Sequence, residues 1–263
     1  MITITVMMRV KIMVDLHCHI LPGIDDGAKN LDTALALLKA EKSQGVDSVV
    51  FTPHYKIDET DLNDFIQSRN RSLSLLTSTN EFTDIGISYK IGAEVYFSLK
   101  LLDIELQPLC FGDTDYILIE LPVKSKPYGL MEAFTDIINR GYTPIIAHVE
   151  RYPYFTENPV LLYDLVASGC LAQINAGTLI KKGNMTGIVE KYLKWELVHL
   201  VCSDCHSIEH RPPNIKKAFD ILEKKLGDQY VSWIESNCNN VFTGKYVDLP
   251  VTKKPRKFLG FWV

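Results

Sequence analysis

The 263 residues predict a single-domain α/β fold, a closed or nearly closed barrel of parallel strands, and three observations carry that prediction. Strand-like and helical runs alternate about seven times along the chain. Runs such as Ile117-Leu118-Ile119 and Pro144-Ile145-Ile146-Ala147 are continuously apolar, as parallel strands buried on both faces must be. No Gly/Ser linker, fixed repeat or low-complexity tract divides the chain, and 46% apolar residues suffice for one large core.

Strands are expected at Met13 to His17, Asp47 to Thr52, Ser88 to Glu94, Tyr116 to Leu121, Pro144 to His148, Leu171 to Asn175 and Val198 to Cys202. Helical patterns fall between and after them, at Leu31 to Gln44, Asp61 to Thr79, Tyr128 to Asn139, Pro159 to Ala167, Met185 to Trp195 and Asn214 to Lys225. Most end near a glycine, where a helix C-terminus is readily closed. The expected division is an N-terminal extension at 1–12, the barrel at 13–250 and a tail at 251–263. That tail is basic in Lys253-Lys254-Pro255-Arg256-Lys257 and aromatic thereafter; it either docks on the body or frays, or it contacts a membrane or partner.

Net charge is −4, so no global basic field favours nucleic acid or an anionic surface. Six cysteines lie scattered at 18, 110, 170, 202, 205 and 238, without the dense spacing of a disulfide scaffold, which predicts free thiols and a cytoplasmic chain. Met1 to Val14 is apolar but carries Arg9 and Lys11, lacks a cleavage pattern and is too short to span a bilayer. A start at Met13 would also leave every motif intact.

Chemistry concentrates at the predicted strand ends. Five of seven histidines fall in Asp15-Leu16-His17-Cys18-His19, Thr52-Pro53-His54, Ala147-His148-Val149-Glu150 and Ser203-Asp204-Cys205-His206. A lone strand-end histidine is ordinarily a hydrogen-bonded structural residue. Repeated placement with Asp26, Glu94, Glu120 and Asp204 instead predicts converging metal ligands, in a loop where Asp25 competes with Asp26. These nine side chains supply about three ligands each for three divalent ions when carboxylates bridge. Three dications against four carboxylates leave about two positive charges, enough for a hydroxide and a phosphate. The set contains no thiolate, because Cys18 and Cys205 alternate with ligands and should point to the other face. Strand six offers only Gln173 and Asn175.

Such a centre suits phosphomonoester hydrolysis by a metal-activated hydroxide, with no protein nucleophile. Arg151 and Arg211 are the candidates to bind phosphate oxygens and stabilise the transition state, the alternative for each being a surface ion pair. Tyr55, Tyr96 and Tyr152 follow motif residues closely and are candidates for an aromatic slot, with core packing as the alternative.

The motifs Asp-Leu-His-Cys-His-Ile-Leu-Pro-Gly-Ile-Asp-Asp-Gly-Ala, Thr-Pro-His-Tyr, Gly-Ala-Glu-Val-Tyr, Ala-His-Val-Glu-Arg-Tyr and Ser-Asp-Cys-His together resemble the PHP (polymerase and histidinol phosphatase) superfamily. The closer resemblance is to its bacterial capsule-type tyrosine phosphatase branch, from about Met13 to about Phe242. The resemblance implies a distorted (β/α)7 TIM-like barrel with three ions, manganese foremost and iron or zinc as alternatives. It also implies hydrolysis of phosphotyrosine on a partner tyrosine kinase of polysaccharide export. It assigns His17, His19, Glu94 and Asp204 to one ion, Glu120, His148 and bridging Glu94 to a second, and Asp26, His54 and His206 to a third. Many relatives carry histidine where this chain has Asp26 and Glu120, which favours the tyrosine phosphatase branch over histidinol phosphatase.

Rival readings are weaker. Cys205 to Arg211 fits the C-x5-R spacing of thiol-based phosphatases, yet Glu209 would repel phosphate and Pro212-Pro213 removes donors from the helix start. A nuclease should show basic tracks with interleaved aromatics, and Asn63 to Arg71 offers only Arg69 and Arg71. A small phosphomonoester such as histidinol phosphate is the main alternative substrate. A non-catalytic kinase-binding module would carry structural metal, normally thiolate-rich.

Overall fold

The computed structural model describes residues 13–181, 184–247 and 252–263. The extension expected at 1–12 lies outside them. The chain begins with β1 (Met13–Cys18), buried along its whole length, then α1 (Leu31–Ser43). Asn30 starts that helix by accepting the Thr33 amide hydrogen at 2.9 Å, and Leu35, Leu37 and Leu38 bury its inner face.

Expected strands two and three are each interrupted. The chain forms β2 (Val46–Phe51), breaks at Thr52-Pro53, and resumes as β3 (His54–Tyr55). After α2 (Leu62–Thr77) and α3 (Asn80–Ile85), it forms β4 (Ser88–Ile91), breaks at Gly92-Ala93, and resumes as β5 (Glu94–Tyr96). Proline lacks the amide hydrogen a ladder needs. Gly92 is required by proximity, because a Cβ there would lie 2.7 Å from the Phe111 ring. The breaks fall together: Gly92 N donates to Phe51 O at 2.9 Å and Glu94 N to Pro53 O at 3.1 Å. They turn His54 and Glu94, side by side in the ladder, toward the strand ends.

Then follow β6 (Tyr116–Glu120), α4 (Leu130–Asn139), β7 (Thr143–Ile146), α5 (Pro153–Glu157), α6 (Pro159–Ala167) and β8 (Leu171–Asn175). Next come α7 (Ala176–Ile180), α8 (Asn184–Lys194), β9 (Leu200–Cys202), α9 (Ile215–Leu226) and α10 (Asp228–Phe242). A hairpin of β10 (Lys257–Phe258) and β11 (Phe261–Trp262) ends the chain.

Apart from that hairpin the sheet is parallel, in ladders β1-β2-β4 and β3-β5-β6-β7-β8-β9, and it curls. Asp204 N donates to His17 O at 2.8 Å and His19 N to Cys205 O at 2.9 Å, tying the segment after β9 to the end of β1. Ile117, Ile119, Ile145 and Ile146 are buried, as their unbroken apolar runs require. Truncating Ile119 to alanine would cost roughly 2–5 kcal/mol and loosen the strand that presents Glu120. Among the described residues no helix is long and apolar enough to cross a membrane. All six cysteines are free and buried, as expected of the thiols.

Candidate metal centre

Six strands contribute from their ends. His17 and His19 leave β1 on one side, and Asp25 and Asp26 sit in the following loop, which folds back so that Ala28 N donates to His19 O at 3.0 Å. His54 opens β3, Glu94 opens β5 and Glu120 closes β6. His148 follows β7, while Asp204 and His206 follow β9.

Glu94 is the hub. Its Oε2 lies 3.1 Å from Nε2 of both His17 and His19 and 3.2 Å from His54 Nδ1, and its Oε1 lies 2.9 Å from His148 Nε2. Asp204 Oδ1 lies 3.4 and 3.6 Å from the same two nitrogens of His17 and His19. Asp26 Oδ1 stands 3.4 Å from His54 Nε2 and 3.3 Å from His206 Nε2, and Glu120 Oε1 3.7 Å from His148 Nε2. Ligand atoms within 4.8 Å of one another define three overlapping groups here: His17/His19/Glu94/Asp204, His19/Asp26/His54/His206 and His54/Glu94/Glu120. All nine sequence-derived candidates are brought together.

Three of the outward nitrogens are held, two by side chains outside the nine candidates and one by a backbone carbonyl. His19 Nδ1 meets Asp25 Oδ2 at 2.8 Å, His17 Nδ1 meets Gln173 Oε1 at 3.3 Å, and His206 Nδ1 meets Asp204 O at 3.1 Å. Donation outward leaves each Nε2 lone pair facing the centre. Asp25, the competitor of Asp26, is therefore a brace. So is Gln173 on β8, which also accepts the His148 amide hydrogen at 2.7 Å; its neighbour Asn175 donates to Asp204 Oδ2 at 2.6 Å. The signal for these roles was the amide pair itself, polar residues at the end of an otherwise apolar strand.

Two of the candidates sit in left-handed backbone, His148 at φ 31° and Asp204 at φ 52°. Their amides are fixed by Gln173 and His17 O, so the surrounding structure holds them there.

The electrostatics show what the cluster demands. Burial alone would lower His17 and His19, yet Glu94 with Asp204 raises the first, and Asp25 with Glu94 holds the second well above the usual imidazole value. Burial would raise Glu94, but His17 and His148 keep it well below the carboxylate range. Burial and repulsion from His19 push His54 down and His206 down to about 3. Burial and the Glu94 charge raise Glu120. The buried carboxylates thus favour positive charge beside them, most strongly at His17 and His19. His54 Nδ1 and His206 Nε2 are buried at the centre, close to Glu94 and Asp26 but without a well-directed hydrogen bond. Orphaned ring nitrogens, a mixed N/O donor set and excess negative charge fit divalent ions.

A cavity of about 650 Å³ opens over this centre, lined by Asp26, His54, Glu94, Glu120, His148, Asp204, Arg151 and Arg211 together with Ile24, Lys56 and Tyr96. A 3-10 turn at Val149–Arg151, closed by Arg151 N donating to His148 O at 2.9 Å, carries Arg151 back to the site. Arg211 returns because its carbonyl accepts the amide hydrogens of His206 and Ser207 at 3.0 and 3.2 Å. Both guanidinium groups face Asp204 Oδ2, at 2.5 Å for Arg211 and 3.6 Å for Arg151, and both are 39% exposed. The aromatic slot needs correction. Tyr55 is buried against Phe65 and Tyr152 is buried with its hydroxyl accepting from Leu121 N at 2.9 Å, so of the three tyrosines Tyr96 alone reaches the cavity.

Cys205 Sγ lies 3.5 Å from Glu41 Oε1, in a buried group with Asp15 and Ser203 away from the cavity lining. Burial and the Asp15 charge raise Glu41 well above its usual value. The Cys205-x5-Arg211 reading fails on this geometry.

Fold and site define a parallel α/β protein with a buried imidazole–carboxylate centre at its strand ends, open to a cavity flanked by two arginines. The chain belongs to the family described as Capsular polysaccharide synthesis, CpsB/CapC, which matches residues 13–243. It is 32% identical to tyrosine-protein phosphatase YwqE of Bacillus subtilis (strain 168), covering 95% of this chain and 100% of that protein. It is 33% identical to the putative tyrosine-protein phosphatase CapC of Staphylococcus aureus, over 87% of this chain and 89% of the relative. A crystal structure from work on YwqE of Bacillus subtilis and CpsB of Streptococcus pneumoniae, described as unique metal-dependent tyrosine phosphatases, superposes with a TM-score of 0.83 at 27% identity, covering 93% of this chain and all of that one.

Proposed function

We propose that this chain is a metal-dependent protein-tyrosine phosphatase, acting in the cytoplasm on a phosphorylated protein, a bacterial tyrosine kinase that controls capsular or exopolysaccharide synthesis. The observation that carries this reading is the pair Arg151 and Arg211 at the edge of the imidazole–carboxylate centre. The relatives' names support the substrate class, and six buried free thiols support a reducing compartment. Residues 13–250 form the catalytic unit, a distorted (β/α)7 barrel.

His17, His19, Glu94 and Asp204 would hold one ion, Glu94, Glu120 and His148 a second, and Asp26, His54 and His206 a third, with manganese expected. When bound, divalent ions supply Lewis acidity toward phosphate oxygens and water. The chain's own groups do the remaining work. Arg151 and Arg211 bind non-bridging phosphate oxygens, exchanging Asp204 Oδ2 for the substrate dianion. Tyr96 and Ile24 offer the tyrosine ring an apolar wall. Asp25, Gln173 and Asn175 keep the inner groups oriented, so positioning costs nothing at the moment of reaction. No covalent enzyme intermediate forms, since Cys205 faces Glu41.

Purified protein with manganese is expected to release phosphate from phosphotyrosine peptides, to lose that activity after His54→Ala or Glu120→Ala, and to prefer these peptides to histidinol phosphate. A reversed preference would overturn the substrate assignment.

A further inference from the structure

We propose that the C-terminal hairpin docks this protein on an anionic lipid bilayer. The strands β10 and β11 pair Lys257 with Trp262 and Phe258 with Phe261, and Arg256 and Val263 exchange amide hydrogen bonds at 3.0 and 2.9 Å. Leu259 and Gly260 make the two-residue turn with positive φ, 48° and 83°, the conformation a tight hairpin requires. At its tip Phe258 is 65% exposed, Leu259 81% and Phe261 73%, and Val263 at its open end is 59% exposed. Single exposed apolar residues need no explanation, but four within six positions do.

The hairpin is anchored. Trp262 Nε1 donates to Glu157 O at 3.0 Å, and Lys253 N donates to Trp195 O at 3.0 Å. The apolar tip therefore projects from a fixed base and ends in a convex turn rather than a groove. Its charge is equally one-sided. Residues 252–263 contain Lys253, Lys254, Arg256 and Lys257 and no acid, in a chain of net charge −4. The pairs Lys253–Glu196 at 2.8 Å and Lys254–Asp164 at 4.0 Å lie at the surface and hold those lysines weakly. Lys257 lies 4.8 Å over the Trp262 ring, and Arg256 is exposed.

Projecting aromatic and aliphatic side chains backed by cations match a bilayer edge, where rings enter the acyl boundary and cations meet anionic headgroups. A second copy fits worse, because a two-fold contact would set this basic strip against itself. The inference does not rest on the phosphatase reading. Trp262 is held by Glu157, six residues beyond Arg151, so the hairpin is anchored on the segment that leads away from the cavity.

The test is co-sedimentation of the full chain with vesicles of phosphatidylcholine alone or mixed with phosphatidylglycerol, at low and high salt. Binding to the mixed vesicles is expected, weakened by salt and at least about tenfold weaker on phosphatidylcholine. The double variant Phe258→Ser/Phe261→Ser should lose binding. Arg256→Gln/Lys257→Gln should lower affinity more than about tenfold, since each cation near such a surface contributes about fivefold. Both variants should melt like the parent and turn over phosphotyrosine peptide at the parent rate in solution. The proposal fails if the mixed vesicles do not sediment the protein, if the serine variant sediments undiminished, or if light scattering shows a dimer that this variant dissociates. Pull-down by an acidic protein surface, with no vesicle binding, would overturn it equally.

Discussion

Asp25 Oδ2 lies 2.8 Å from His19 Nδ1, and the same carboxylate accepts the amide hydrogens of Gly27 and His54 at 2.9 and 3.1 Å. One side chain thus fixes an imidazole of β1, the turn of the loop behind it and the start of β3. Its carboxyl is drawn down to about 2; burial opposes ionisation, but His19 and the two amides prevail. Asp25→Asn should lower metal affinity by roughly 10–100-fold, the usual cost of losing such a support, while the protein stays folded. Metal titration by calorimetry measures it, and unchanged affinity would refute the bracing role.

Gly27 makes a sharper demand, because a Cβ there would lie 2.1 Å from His19 O and 2.5 Å from His19 Cβ. Both are too close to be relieved by a side-chain shift. Gly27→Ala is expected to displace the loop, abolish catalysis and lower the melting temperature. In helix α8, by contrast, a Cβ at Gly187 meets nothing within 4 Å, and Gly187→Ala should stabilise by up to about 1 kcal/mol. Thermal melts of the two variants should move in opposite directions.

On the proposed function, the arginine pair separates substrate binding from metal binding. Arg151→Ala and Arg211→Ala should each lower kcat/KM by about 10²-fold, in the range for losing one charge-stabilising group. Metal content should be unchanged in both. Arg211→Lys should recover little, because a lysine offers no planar fork. Cys205→Ala should retain activity; its inactivation would restore the thiol mechanism.

Buried His199, five residues before Asp204, is not among the candidate ligands and is pushed down to about 3 by burial, its Nδ1 accepting from Ala172 N at 3.0 Å. In the unfolded chain it titrates near the ordinary 6.5. Between these values the unfolded state binds the extra proton, so this group's stabilising contribution is complete above about pH 6.5 and is lost as pH falls toward 3. The slope is about 1.4 kcal/mol per pH unit. Denaturant midpoints measured from pH 7 to 4 should fall less steeply in His199→Gln; parallel curves would exclude His199 as the cause.

Much of this was legible because buried parallel strands write themselves as unbroken apolar runs, and Ile117–Ile119 and Ile145–Ala147 lie where those runs placed them. Interruptions left less trace. Thr52-Pro53 and Gly92-Ala93 break two strands, yet a proline or glycine in an apolar run also marks a strand end, as the sequence suggests at Thr52. Helix α10 was missed: it begins directly after Gly227, and its polar stretch Glu235-Ser236-Asn237 hides the period of Val231, Ile234, Cys238 and Val241. Asn237 is buried there because its Nδ2 donates to His199 O at 3.1 Å, a tertiary bond that no local pattern announces. The same limit applied to Tyr55 and Tyr152, whose neighbours in sequence face the cavity while they face the core.

The left-handed backbone at His148 and Asp204 sets a bound on what this molecule can become. Each such conformation costs on the order of 1–3 kcal/mol, and glycine, the residue that would remove the cost, carries no donor atom. With both residues as metal ligands, as proposed, relief and function are mutually exclusive at these positions. Laboratory evolution toward heat resistance should therefore accumulate its gains in helices and surface turns and leave these two residues untouched. Loss of activity should be the first sign that a lineage had relaxed either one.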